Sequence, residues 1–222
     1  MNRSSPDPTA APAREQDAKA PTADETRTAT FGMGCFWGPD ARFGAMAGVV
    51  RTRVGYAGGT TPTPGYHSLG DHTEVVQVEY DPDKLGYEDL LEVFWTNHDW
   101  ASTAPKRQYR SVVLAADDDQ LAAAERFRDG LEERAGRSVT TDLERLETFT
   151  RAEDYHQKYE LRSTPVVGDE LAARYGDAFV DSTLVARLNG FVAGHDEPSR
   201  RAALMERVDL TPTQRAELQR RF

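Results

Sequence analysis

The sequence predicts an α+β fold: a two-layer α/β sandwich with a mixed sheet and a ferredoxin-like core, followed by a helical C-terminal extension. Three observations predict it. Strand-like and helix-like segments alternate as β-α-β-α-β-α-β from residue 28 onward. No internal repeat breaks that order. The 222 residues, 38% of them hydrophobic, suffice for one core with extensions.

In chain order, residues 1–27 are rich in Pro, Ala, Thr and charge, without period or apolar face, and read as a disordered tail. The catalytic domain is expected over 28–181. It opens with TATFGMG, a short strand ending in glycines, and passes into CFWGPDARFGAM, where Phe36, Phe43 and Met46 have helical spacing and Pro39 suits a first turn. TRVGYAGGTTPTPGYHSLGDH (52–72) reads as a long loop punctuated by Gly and Pro. In TEVVQVEYDP, Val76, Val78 and Tyr80 alternate with polar positions as in a half-buried strand. YEDLLEVFWTNHD follows as an amphipathic helix with Leu90, Leu91, Phe94 and Trp95 on one side. RQYRSVVLAA reads as a strand. DDDQLAAAERFRDGLEERAG reads as a helix whose acidic start suits its dipole. VTTDLERLETF is expected as one strand and RAEDYHQKYELR as a short helix. From Ser182 to 222 the pattern is helical, ending where Thr211 can cap and Pro212 can open a last helix.

The formal charge of −10, with no basic cluster, argues against nucleic acid as a partner. No apolar run is long enough to cross a bilayer, and MNRSSPDPTAAPAREQD lacks the apolar centre of a signal peptide, so no membrane partner and a cytoplasmic location are expected. A single cysteine, Cys35, excludes an internal disulfide or a CxxC pair.

A lone cysteine is more often a buried filler than a nucleophile. Two features of GMGCFWG point the other way. Cys35 is placed where a helix begins, and unpaired N–H groups there favour a thiolate and lower the thiol pKa. Gly32 and Gly34 leave the approach to sulfur uncrowded.

GCFWG resembles the signature of the peptide methionine sulfoxide reductase A family. The resemblance extends through VGYAGGTTPTPGY, DHTEVVQVEYDP, DLLEVFWTNHD, QYRS and AEDYHQKY, in family order, over about residues 28–161. It implies thiol-dependent reduction of the S epimer of methionine sulfoxide. In that reaction the Cys35 thiolate attacks the sulfoxide sulfur. Oxygen leaves readily only if protonated, so a neutral acid must stand beside it. The resemblance assigns that acid to Glu74, whose carboxyl would stay protonated in an apolar pocket. It assigns Tyr66 and Tyr109 to hydrogen bonds with the sulfoxide oxygen, and Phe36 and Trp37 to enclosing the substrate methyl group. Without it, Glu74 would read as a solvated strand-end carboxylate and the rings as core.

Three departures accompany the match. Where the family carries an aspartate five residues before the QY tyrosine, an ungapped count from Tyr109 gives Ala104, with Ser102 and Thr103 as the nearest hydroxyls. The loop between Tyr66 and Glu74 is short. The tail has no resolving cysteine, so Cys35 would be left as a sulfenic acid and an external thiol (thioredoxin, glutaredoxin or a small thiol) would regenerate it. Substrates would be oxidised proteins or free methionine sulfoxide. No bound cofactor is implied, and His67, Asp71, His72, His98 and Asp99 fit no zinc spacing. Two other readings remain at this stage. A noncatalytic methionine-sulfoxide-binding protein is suggested by the missing aspartate, and a thiol peroxidase or peroxide sensor by a reactive Cys.

Overall fold

The computed structural model describes residues 20–195, 198–207 and 210–220. Residues 1–19 of the expected tail lie outside them, but its end is ordered: Ala23–Glu25 form a 3₁₀ turn, the Thr26 hydroxyl donates to Glu79 at 2.9 Å, and Arg27 opens the first strand opposite Tyr80. Six strands, β1 (Arg27–Met33), β2 (Val49–Ala57), β3 (Thr73–Tyr80), β4 (Ser111–Ala115), β5 (Asp142–Arg145) and β6 (Phe149–Arg151), form one sheet in the order β5-β4-β1-β3-β2-β6. Every pair is antiparallel except the parallel β4–β5 pair. With helices α1 (Trp37–Gly44) and α2 (Tyr87–Thr96), the run β1-α1-β2-β3-α2-β4 and its inner order 4-1-3-2 make the ferredoxin-like core.

Strand alternation sets the two faces. Phe31, Val76 and Val78 face α1, α2 and α3 (Asp118–Ala135), where they meet Phe43, Leu90, Phe94 and Ala124. Phe31 stacks on Phe43 at 5.3 Å and on Phe94 at 5.1 Å between ring centroids. Val75, Val112 and Leu114 face the other way, under Leu146 and Phe149. Helix α3 is capped at both ends. Asp117 accepts from Gln120 N–H at 2.8 Å, and Gly136 closes α3 at φ 63°.

Beyond the core come the short α4 (Tyr159–Arg162), α5 (Pro165–Tyr175), α6 (Thr183–Val192), α7 (Pro198–Arg207) and α8 (Pro212–Arg220). Leu161, Leu171, Phe179, Leu188 and Leu218 join them in a separate apolar cluster. Thr211 and Gln214 cap α8 reciprocally, at 2.8 and 3.3 Å. Helix α6 backs α1. A Cβ on Gly44 would stand 2.6 Å from Ala186 O, and one on Gly190 would stand 2.6 Å from Ala41 O, so only glycine allows this approach.

Three elements differ from the sequence expectation. The start of the expected loop 52–72 belongs to strand β2. Most of β2 is buried, and Gly55, which reads as a breaker, lies under the Phe149 ring, 2.5 Å from where a Cβ would be. VTTDLERLETF forms two strands on opposite edges of the sheet, joined only by residues 146–148. Four Cα steps span at most about 14 Å, whereas six flat strands would put their edges about 24 Å apart. The sheet is therefore strongly curled. RAEDYHQKYELR is also not one helix: a 3₁₀ turn over Asp154–His156 is separated from α4 by Lys158, at φ 55°.

Candidate active site

Cys35 lies exposed in the turn between β1 and α1. Gly34 makes that turn at φ +90°, a conformation an L side chain rarely adopts. A Cβ there would meet nothing within 4 Å, whereas one on Gly32 would stand 2.8 Å from Val112 Cγ1. The two glycines therefore serve the turn and the sheet packing; they do not clear a path to sulfur.

The expected fall in the thiol pKa is reversed. Burial pushes the Cys35 thiol up, the Trp37 N–H opposes it, and the charges of Glu74 and Glu160 add to the rise. Backbone dipoles at a helix start favour a thiolate, but they are outweighed here. In the fold, two carboxylates from distant segments face the sulfur, and the neighbouring Phe36 N–H is donated to Glu74.

Glu74 is a residue of β3, paired across the sheet with Tyr56 of β2, and is 1% exposed. Its carboxylate accepts from Phe36 N–H at 3.2 Å and from Gln108 Nε2 at 2.6 Å. Burial raises its pKa, and the two donors, which favour the charged form, only partly offset the rise. It is no solvated strand-end carboxylate. The structure brings it to the start of α1, beside the exposed thiol.

Tyr66 and Tyr109 reach the same place from separate segments, close enough for each phenol to bear on the other. Burial, then the nearby charges of Glu74, Tyr66 and Cys35, hold the Tyr109 phenol above its ordinary value, so at neutral pH it is a proton donor. The Tyr66 loop is fixed by acceptors. Asp71 takes the N–H and hydroxyl groups of Thr60 and Thr61 at 2.7–2.9 Å, and Glu153 Oε1 takes Tyr66 N–H at 2.9 Å. Tyr109 ends a 3₁₀ turn whose Arg107 donates to Asp71 O and Gly58 O, at 2.7 and 3.0 Å. Next to it, Arg110 binds Glu144 at 2.5 and 2.8 Å and Asp142 at 2.7 Å.

The two rings after Cys35 diverge. Phe36 is buried against Tyr56, Val54 and Ala152. Trp37 stacks on Tyr159 at 3.6 Å, and its Nε1 donates to His156 Nδ1 at 3.2 Å. That bond makes Nδ1 an acceptor. Burial, followed by the opposed charges of Glu153 and His67, leaves the His156 pKa low and the ring neutral. The His156 ring lies 5.1 Å from Phe36 and 4.7 Å from Tyr66. Beneath this wall Lys158 Nζ, fully buried, donates to Asp40 Oδ1 at 2.9 Å and to Thr52 O at 2.6 Å. The pair ties α1 to the segment carrying His156.

Gln108, Glu153, His156 and Tyr56, which donates to Glu153 at 2.7 Å, complete the arrangement. Their chemistry was not singled out in the sequence, although QYRS and AEDYHQKY contain three of them. Ala104 is half-buried, while Ser102 and Thr103 are exposed and their hydroxyls make no hydrogen bond among the described residues. The loop histidines are engaged with protein groups: His72 Nε2 meets Thr61 O at 2.8 Å, and His98 Nδ1 meets Phe94 O at 2.7 Å. Among the described residues no three His, Cys, Asp or Glu side chains converge to hold a metal. Nor is any described helix long and apolar enough to cross a membrane. The geometry unites an exposed thiol, a buried carboxyl biased toward its acid form, and two phenols.

Comparison with known proteins meets this chemistry. The sequence profile of the peptide methionine sulfoxide reductase family matches residues 27–176. The chain is 43% identical over 191 residues to a peptide methionine sulfoxide reductase of Drosophila melanogaster, spanning 85% of this chain and 77% of that one. It is 45% identical over 152 residues to MsrA of Salinispora arenicola, spanning 63% and 69%. Among solved structures, reduced Mxr1 of Saccharomyces cerevisiae superposes with a TM-score of 0.60 at 27% identity, covering 65% of this chain and 88% of that one. Methionine sulfoxide reductase A of Corynebacterium diphtheriae gives 0.56 at 31% identity, covering 64% and 76%. This chain belongs to the peptide methionine sulfoxide reductase family, and it is an oxidoreductase that reduces methionine sulfoxide at the expense of thiols.

Proposed function

We propose that Cys35 is the nucleophile and Glu74 the acid in reduction of the S epimer of peptide-bound methionine sulfoxide, and of the free amino acid. One observation carries this reading: an exposed thiol stands beside a buried carboxyl whose pKa is raised and whose other contacts are Phe36 N–H and Gln108. The Cys35 thiolate attacks the sulfoxide sulfur. Glu74 delivers a proton to the oxygen, and Tyr66 and Tyr109 donate hydrogen bonds to it as it leaves sulfur. Phe36 and Trp37 enclose the methyl group. The oxygen departs as water while the Cys35–sulfur bond forms, and water then attacks Cys35 Sγ and breaks that bond, releasing methionine, so the balance is Cys35–SH plus sulfoxide giving Cys35–SOH plus methionine. The chain contains one cysteine, so two external thiols then return Cys35–SH, releasing water and a disulfide. Thioredoxin, glutaredoxin or a small thiol fills that role, in a reducing compartment such as the cytoplasm.

Residues 28–181 form the catalytic unit of this scheme, with 182–222 as a helical extension and 1–27 as a tail. Turnover of separated R and S sulfoxide epimers in a peptide, with dithiothreitol as reductant, tests the assignment. Reduction confined to the S epimer and abolished in Cys35→Ser supports it. Equal reduction of both epimers, or turnover without Cys35, overturns it.

A further inference from the structure

Tyr155 stands out in a chain whose apolar side chains are otherwise covered: at 53% exposure it is the one large apolar side chain left open among the described residues. Its position is not arbitrary. Its ring packs on that of His156 at 4.2 Å, and His156 is 2% exposed and fixed by the Trp37 Nε1 hydrogen bond. The His156 ring in turn lies 5.1 Å from Phe36 and 4.7 Å from Tyr66. Tyr155 is therefore the open outer end of a chain of packed rings that leads through the buried His156 to the half-buried Tyr66. An exposed ring held on a rigid support is a good binding element, because little freedom is lost when a partner covers it.

We propose that Tyr155 is a specificity-determining residue, the platform for the side chain flanking methionine sulfoxide in a peptide substrate, and that it favours aromatic and other large apolar neighbours. The inference rests on the reading of Cys35 as the reacting thiol. Successive residues of an extended peptide advance about 3.3 Å, and side chains two apart share a face. With the sulfoxide at Cys35 and its oxygen at Tyr66, Tyr155 lies two ring contacts away, at 4.7 and 4.2 Å, within the reach of a side chain carried one or two positions along the peptide. A free amino acid has no such neighbour and does not touch Tyr155.

The test compares two acetylated S-sulfoxide peptides, one with Phe and one with Gly beside the methionine sulfoxide, and free methionine sulfoxide. Each is measured on the wild type, Tyr155→Ala and Tyr155→Phe. An aromatic pair predicts a preference of about 2- to 10-fold in kcat/KM for the Phe peptide. Tyr155→Ala is expected to bring that ratio to about one while leaving free methionine sulfoxide unchanged, and Tyr155→Phe is expected to keep it. The same peptide pair, titrated by fluorescence anisotropy against Cys35→Ser with and without Tyr155→Ala, reads the preference without chemistry. It judges Tyr155 even if Cys35 proves not to be the nucleophile. A ratio near one in the wild type, or one that survives Tyr155→Ala in both measurements, overturns the inference.

Discussion

Replacing Lys158 by Met tests how the active-site wall is held. Lys158 and Asp40 are both fully buried, and the ammonium spends its protons on Asp40 Oδ1 at 2.9 Å, Thr52 O at 2.6 Å and Thr52 Oγ1 at 3.0 Å. Methionine has similar length but leaves the Asp40 carboxylate buried without a cation. Asp40 retains the Thr52 hydroxyl at 2.6 Å, the backbone N–H of residue 158 at 3.0 Å and Asn189 Nδ2 at 3.3 Å, which soften the loss without neutralising the charge. Removing one partner of a buried pair costs about 3–5 kcal/mol, so Tm should fall by roughly 6–20 °C for a chain of this size. Because Asp40 lies in α1 and Lys158 two residues beyond His156, activity should fall with stability even at temperatures where the chain stays folded. Asp40→Asn combined with Lys158→Met removes both charges and is expected to recover most of the lost stability. Urea titration followed by tryptophan fluorescence, alongside kcat/KM, measures all of this. A loss below about 1 kcal/mol for Lys158→Met, or a double variant no more stable than the single one, would refute the reasoning.

The electrostatics of the site predict an unusual pH dependence. In the proposed mechanism the reactive form has Glu74 protonated and Cys35 ionised, and burial raises both pKa values. With the thiol value the higher of the two, each pH unit between them gains thiolate tenfold and loses acid tenfold. The kcat/KM profile should therefore be flat there, falling below the Glu74 value for want of thiolate and above the Cys35 value for want of acid. Glu74→Gln should lose about 10²–10⁴-fold in rate and replace the plateau by a rise with pH up to the thiol value. A loss under tenfold would point to Tyr66 or Tyr109 as the proton source. Deleting residues 1–19 should leave turnover and Tm nearly unchanged, and a large drop in either would show that this segment supports the domain.

Where one side of an element faces water, the sequence recorded the fold. The apolar stripe of α2 and the acidic start of α3 were legible because polarity tracks exposure. β3 was legible from the alternation of Val76, Val78 and Tyr80 although all of it but Gln77 is buried, whereas β2 was hidden by Gly55, which serves packing. The two strands within VTTDLERLETF were hidden because curl is a property of the whole sheet. At the site, Cys35 and the residues named by the resemblance are gathered around one turn. What no local reading supplied is the electrostatics: Glu74 and Glu160 are far from Cys35 in sequence, and only folding sets their charges against its sulfur. Glu153, Gln108 and His156 likewise act on partners from distant segments.

The most direct test of the account counts products. Reduced protein with excess S-sulfoxide peptide and no reductant should release one methionine per chain and then stop, with loss of the single free thiol. A Cys35 sulfenic acid, trappable by dimedone and visible by mass spectrometry, should appear at the same time. Cys35→Ser, folded by circular dichroism, should release none. Two methionines per chain, or release with the Cys35 thiol still titratable, would contradict a cycle that runs through this sulfur alone.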